Sequence, residues 1–313
     1  MAVEIAPLTM KPPHLDGLSQ QLVESHYENN YGGAVRRLNA IDAWLSDIDW
    51  SSLPGFEING VKREQLMAAG SVVLHEVYFD SLGGKGGDPA CPELTAALER
   101  DFGSVERWRS EFVAMGKALG GGSGWVVLTW SDRLDRLVNQ WAADHLHSLA
   151  CALPILALDM YEHAYHLDFG ANSGGYVDTF MRNIDWEHVA ARFRGAKDGH
   201  VAPQRADPYA VTATELFESL RQPSQTAPVV LDVRLKQDRT RDAIPDAPWR
   251  DLERTQEWCR ELPRDRKIVV YCKYGFWVSQ DTAKALRDCG YDAHVLQGGI
   301  SAWRGMGLAT EPI

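Results

Sequence analysis

Leu153-Pro154-Ile155-Leu156-Ala157-Leu158-Asp159-Met160-Tyr161-Glu162-His163-Ala164-Tyr165 is the stretch on which the reading of this chain turns. Its first half is an apolar run rich in Leu and Ile, which reads as a buried strand with Asp159 at its end. A carboxylate buried there without a partner is costly, so a cation is expected beside it. If the chain turns after Asp159, His163 returns to the same side. Aspartate and neutral imidazole brought together suit a first-row transition metal. A strand-capping Asp beside a surface His accounts for the same residues, so this stretch alone leaves both readings open.

Asp159-Met160-Tyr161-Glu162-His163-Ala164-Tyr165 resembles the iron/manganese superoxide dismutase signature D-x-W-E-H-A-Y, with Tyr161 where that family has Trp. The resemblance demands two upstream histidine ligands on separate helices. His26 lies in Ser25-His26-Tyr27-Glu28-Asn29-Asn30-Tyr31, and His75 in Val73-Leu74-His75-Glu76-Val77-Tyr78-Phe79. Gly122-Ser123-Gly124-Trp125 and Tyr176-Val177-Asp178-Thr179-Phe180 are also similar to family segments. The resemblance therefore implies His26, His75, Asp159 and His163 as ligands of one iron or manganese ion per subunit, iron ahead of manganese. It implies superoxide as substrate, dismuted to oxygen and hydrogen peroxide. Imidazole and carboxylate suit these metals, and the lack of Cys ligands argues against structural zinc.

The residues around the implied ligands, which tune a metal's potential and proton supply, depart from the family's pattern. The His usual four residues after the first ligand is Asn30, and the gateway Tyr beyond it is Ala34. Tyr31 is a partial substitute, although one helical residue turns a side chain by about 100°. The Gln that bonds the metal's solvent is missing; Ser71 stands at one of its two usual places. At the other, Asp144-His145 resembles some family members, which makes His145 the expected solvent partner and His147 its rival. Trp125, Tyr161 and Tyr165 fall at positions lining the site. Glu162 is expected to cross a homodimer interface to the partner's His163.

Working outward, amphipathic helices are expected over 19–45, interrupted at Gly32-Gly33, and over 63–82. A helix over 92–119 precedes strands near 125–128, 133–140 and 155–159, and a helix over 175–194 closes the unit. These make an α+β metal domain, a helical hairpin (1–90) followed by a small antiparallel sheet with flanking helices (91–195). Residues 196–207 read as a linker.

From 208 to 313 short strands and helices alternate, as in an α/β domain with a parallel sheet. Strands are expected at 229–233, 268–272 and 294–297, with helices near Glu257 and from Ser279. Leu231-Asp232-Val233-Arg234, the Cys272 loop and Gly298-Gly299-Ile300-Ser301-Ala302-Trp303 resemble the rhodanese, or sulfurtransferase, family. The family's H-I-P-G-A segment survives only as Ala243-Ile244-Pro245-Asp246-Ala247, and Trp277 stands where active members carry Arg. The resemblance makes Cys272 the candidate sulfur carrier and Lys273 its anion-binding neighbour, with an unspecified sulfur donor and acceptor. Cys289 reads as a packed helix end, and Cys259 is ambiguous.

Composition bounds the rest. The chain has 313 residues, 45% hydrophobic and 24% charged, enough for two cores. A formal charge of -11 argues against nucleic-acid binding. No signal peptide and no membrane span are expected. Five widely spaced cysteines without a C-x-x-C pair suggest free thiols in a reducing cytoplasm. Two other functions fit the sequence: a sulfurtransferase whose metal domain is a low-activity dimerisation unit, or a redox-sensing interaction protein.

Overall fold

The computed structural model describes residues 2–199, 207–222 and 227–313. Two compact units result, Thr9–Pro203, and Met1–Leu8 with Gln204–Ile313. The first residues of the chain thus lie with the C-terminal unit and not with the helical hairpin. There Ile5 and Leu8 are buried and Glu4 bonds to Thr214.

In the larger unit Ser19 caps helix α1 (Gln20–Ser25) by accepting from the Leu22 amide. The path continues as a π-helical segment, His26–Tyr31, and then as α2 (Gly32–Ser46). The expected interruption at Gly32-Gly33 is absent: Gly32 is helical, and the irregularity falls just before it. A π turn admits an extra residue and so changes which side chains share a face. Helix α3 (Gly55–Asp80) begins well before the expected Arg63. Its early turns are mostly exposed and carry no apolar stripe, so periodicity could not reveal them.

The single helix expected over 92–119 is two, α4 (Pro92–Phe102) and α5 (Val105–Ala118). Gly103 ends the first at φ 91°, and Ser104 caps the second. Three antiparallel strands follow, β1 (Trp125–Ser131), β2 (Arg136–Ala142) and β3 (Ala152–Asp159), in the order β2-β1-β3. Each differs from the expected span by a few residues at its ends. The β1–β3 register shifts between Leu128 and Thr129, which face Leu156 and Pro154 and leave Ile155 extra. Its freed carbonyl accepts from Arg192 Nε at 2.9 Å. Helix α6 (His166–Phe169) is one turn. The closing helix is also two, α7 (Ser173–Arg182) and α8 (Trp186–Lys197), separated where Ile184 bridges to Leu82. Helix α8 runs into the expected linker, of which residues 200–206 lie outside the described residues.

The C-terminal unit has four parallel strands in the order β4-β8-β7-β5. They are β4 (Ala210–Val211), β5 (Val229–Asp232), β7 (Ile268–Tyr271) and β8 (Ala293–Leu296); β6 (Asp242–Ala243) pairs apart with β9 (Glu311–Pro312). Every residue of central β7 is buried, as a parallel strand covered on both faces requires. The helices are α9 (Ala213–Leu220), α10 (Thr255–Trp258), α11 (Trp277–Asp288) and α12 (Gly299–Gly305). Arg234 and Asp232 form a fully buried pair at 2.7 Å, and Arg234 also donates to the Asp242 carbonyl. Asp246, at the glycine of the family's H-I-P-G-A segment, has φ 59°, a conformation Asp tolerates better than most residues.

Candidate metal centre

Strand β1 organises the centre. Its first residue, Trp125, sits opposite Asp159 on β3 and Ala142 on β2. Asp159 is therefore delivered to the sheet's end with no solvent exposure. The chain then turns: the Tyr161 amide donates to Asp159 Oδ1 at 2.8 Å, and a short 3-10 turn over Glu162–Ala164 brings His163 back. His26 Nε2 and His163 Nε2 lie 3.1 and 3.2 Å from Asp159 Oδ2, and His75 Nε2 lies 3.6 Å from it. One ligand atom from each of His26, His75, Asp159 and His163 falls within 4.8 Å of all the others.

The tautomer of His75 follows from its neighbours. Its Nδ1 donates to the Ser71 carbonyl at 2.7 Å, so Nε2 carries the lone pair. That Nε2 is buried and has no hydrogen-bond partner. Burial pushes the His75 pKa down to about 3 and lowers that of His26, although Asp159 acts the other way on both. Burial alone would raise the Asp159 carboxyl, but His163 and His26 overcome this and hold it far below the usual range. At neutral pH His26 and His75 are thus neutral imidazoles beside a carboxylate, and the His75 Nε2 lone pair is aimed at no proton. A cation fits this donor set, and His, His, Asp, His without sulfur is the set that suits iron or manganese.

Aromatic rings close the centre. The His26 ring lies 5.0 Å from Tyr78 and 4.9 Å from Phe79, and the Tyr78 hydroxyl accepts from that of Tyr176 at 3.3 Å. Tyr31 stacks over His75 at 6.0 Å and donates to Glu76 at 3.0 Å. The π-helical segment accounts for its place beside the site, since the extra residue alters the helical phase. Asn30 is half-buried on the same segment, and Ala34 is buried. Tyr165 is buried and stacks on Tyr176, whereas Glu162 is exposed.

His145 and His147 are separated decisively. They follow β2 in a turn, not in the sheet. Trp125 Nε1 donates to His145 Nδ1 at 2.9 Å, and the His145 ring stacks on Tyr161 at 4.9 Å. Because indole N–H only donates, neutral His145 carries its hydrogen on Nε2. Burial, its largest influence, keeps it neutral. His147 is half exposed and pairs with Asp144. Gly70 went unnoticed in the sequence: a side chain there would overlap the His145 carbonyl, so the glycine admits this turn against α3. The brace of Asp80 with His188 and Arg192 was missed likewise. No local motif announces either.

In the C-terminal unit Cys272 directly follows β7, and α11 begins at Trp277, earlier than the expected Ser279. The thiol is 5% exposed and lies 3.2 Å from Ser279 Oγ, a partner the sequence did not suggest. Gly299, at φ 59°, brings its turn so close that a Cβ would meet the Cys272 carbonyl oxygen at 2.4 Å. Lys273 Nζ lies 5.3 Å from the Tyr274 ring, and Trp277 is exposed.

Comparison with known proteins agrees with both units. The model described as "Iron/manganese superoxide dismutases, C-terminal domain" matches residues 90–192, and that described as "Rhodanese-like domain" matches residues 212–306. An iron superoxide dismutase of Cupriavidus metallidurans is 61% identical over 196 residues, 63% of this chain and 98% of the relative. An iron superoxide dismutase of Aquifex pyrophilus is 33% identical, covering 62% of this chain and 92% of the relative. A manganese superoxide dismutase of Haloferax volcanii is 30% identical, covering 63% and 98%. Three histidines around one buried aspartate, on a frame shared almost end to end with such relatives, lead to one conclusion: the chain belongs to the iron/manganese superoxide dismutase family and carries a rhodanese-like domain behind that family's fold.

Proposed function

We propose that the chain is a superoxide dismutase with one iron or manganese ion per subunit, held by His26, His75, Asp159 and His163. The observation that carries this reading is the His75 Nε2 lone pair, buried and unpartnered where two other imidazoles meet Asp159 Oδ2. Iron stands ahead of manganese because the iron relative at 61% identity is far nearer than the manganese relatives near 30%. When bound, the ion supplies the one-electron exchanges that convert superoxide to oxygen and hydrogen peroxide.

The remaining work falls to side chains. Ser71 orients His75, and the Tyr161 amide fixes Asp159. His145, with its Nε2 hydrogen set by Trp125, is the donor toward a solvent molecule at the centre. Tyr31 and Glu76 form a hydroxyl–carboxyl pair at the edge of the site, in a region where the gateway Tyr is replaced by Ala34. Tyr78, Phe79 and Tyr176 exclude bulk water, which strengthens every electrostatic contact inside. Glu162, exposed beside His163, is suited to bridging a homodimer. Cys272 is suited to carrying sulfur, since it lies between a strand end and the first turn of α11. Five free thiols fit a reducing, cytoplasmic setting; among the described residues no helix is long and apolar enough to cross a membrane.

Metal analysis of the purified protein alongside dismutation assays with each metal reloaded tests the proposal. His26→Ala and His163→Ala should each lose both bound metal and activity. Full occupancy with either ligand removed would refute the assignment.

A further inference from the structure

Apart from Cys272, the C-terminal unit holds two thiols far apart in sequence that the fold brings together. Cys259 follows α10 and Cys289 ends α11. Their backbones are cross-braced: the Tyr291 hydroxyl donates to the Cys259 carbonyl, and Arg264 Nη1 donates to the Cys289 carbonyl at 3.2 Å. Both thiols turn onto one residue. Cys259 Sγ lies 3.6 Å from the Gln256 carbonyl oxygen, and Cys289 Sγ lies 3.8 Å from the Gln256 side-chain oxygen. The two thiols thus meet at Gln256, one at its backbone oxygen and the other at its side-chain oxygen.

Their surroundings differ in a useful way. Cys259 is 4% exposed within the core formed by Leu262, Ile268 and Leu286, whereas Cys289 is half-buried at the edge of that core. A small polar oxidant therefore meets Cys289 before the more deeply buried Cys259, whose thiol shares Gln256 with it. A buried thiol alone is inert, but one seated behind a reachable partner can resolve the oxidised form of that partner.

We propose that Cys289 and Cys259 are a peroxide-responsive dithiol, in which Cys289 is oxidised and Cys259 closes the disulfide. In the first step the Cys289 thiolate attacks one oxygen of hydrogen peroxide. The O–O bond breaks, the sulfur becomes a sulfenic acid, and the departing hydroxide takes up a proton as water. In the second step the Cys259 sulfur displaces the sulfenic hydroxyl, which leaves as water with the Cys259 thiol proton. The balance is two thiols and one peroxide to one disulfide and two waters. Hydrogen peroxide is the product of superoxide dismutation, so the chain's proposed activity supplies the oxidant class. The thiol geometry does not depend on that activity, and added peroxide tests it separately. The new bond fastens the last turn of α11, the helix whose first turn adjoins the Cys272 loop.

The experiment treats reduced full-length protein with graded hydrogen peroxide, blocks remaining thiols under denaturing conditions, and maps peptides by mass spectrometry. Wild type should lose the mass of two hydrogens and yield a Cys259–Cys289 linked peptide that disappears on reduction. Cys259→Ser should instead trap a sulfenic acid at Cys289 that reacts with a dimedone probe. Wild-type mapping needs no variant to fold, so the proposal remains refutable even if Cys259→Ser does not. Full alkylation of both cysteines after peroxide treatment, or a link from either to Cys272 in place of their own, would overturn it.

Discussion

Gly70→Ala isolates the packing that holds His145 at the centre. An ideal Cβ at Gly70 would stand 2.1 Å from the His145 carbonyl oxygen and 3.1 Å from its carbonyl carbon. Real Cβ contacts essentially never fall below 3.0 Å, so the turn must retreat by about 0.9 Å. The obstacle is backbone, which has no rotamer to escape into. Overpacking of this kind costs about 1–3 kcal/mol. In a unit of this size that corresponds to about 2–4 °C of melting temperature per kcal/mol. The same retreat pulls the His145 ring from its Trp125 hydrogen bond and its stack on Tyr161. Gly60 provides the control, because it lies in the same helix with nothing within 4 Å of its Cβ position. Gly60→Ala should stabilise by about 0.5–1 kcal/mol through helix propensity alone. Both variants would be followed by thermal unfolding of the metal-loaded protein and by dismutation rate. The expected pattern is lower stability and slower dismutation for Gly70→Ala, with neither loss for Gly60→Ala. A Gly70→Ala protein that melts and turns over like wild type would show that the close approach does not position His145.

Further outcomes follow from other contacts. The hydrogen bond and charge of Asp80 raise the His188 pKa to about 9 from its ordinary 6.5. Its contribution to stability is therefore complete below pH about 6.5 and lost as pH rises toward 9. Unfolding free energy measured across that window should fall in wild type and lose this slope in His188→Gln; parallel profiles would rule out the linkage. If Glu162 bridges the proposed homodimer, Glu162→Ala should shift wild-type dimer toward monomer in sedimentation at micromolar protein, and identical sedimentation of the two would remove Glu162 from the interface. Thiosulfate should add one sulfur to wild type and none to Cys272→Ser by intact mass; no adduct on either would end the sulfur-carrier reading.

Much of this protein was legible locally. The β3 run and the turn after it announced Asp159 and His163 together, because a strand end and a four-residue return are short-range geometry. His26 and His75 became visible only through the family signature, since a lone histidine on a helix carries no local sign of a ligand. Alternation of strands and helices after residue 208 announced a parallel sheet for the same short-range reason. Tertiary structure decided the rest. Tyr31 stands beside His75 because of a π-helical phase change that hydrophobic spacing does not record. His145 was separated from His147 by an indole twenty residues earlier in the chain. The grouping of residues 2–8 with the C-terminal unit, and the approach of Cys259 and Cys289 to Gln256, join positions distant in sequence. Periodicity and capping report only the next turn or strand, whereas these contacts exist because separate elements were already packed together by their buried faces.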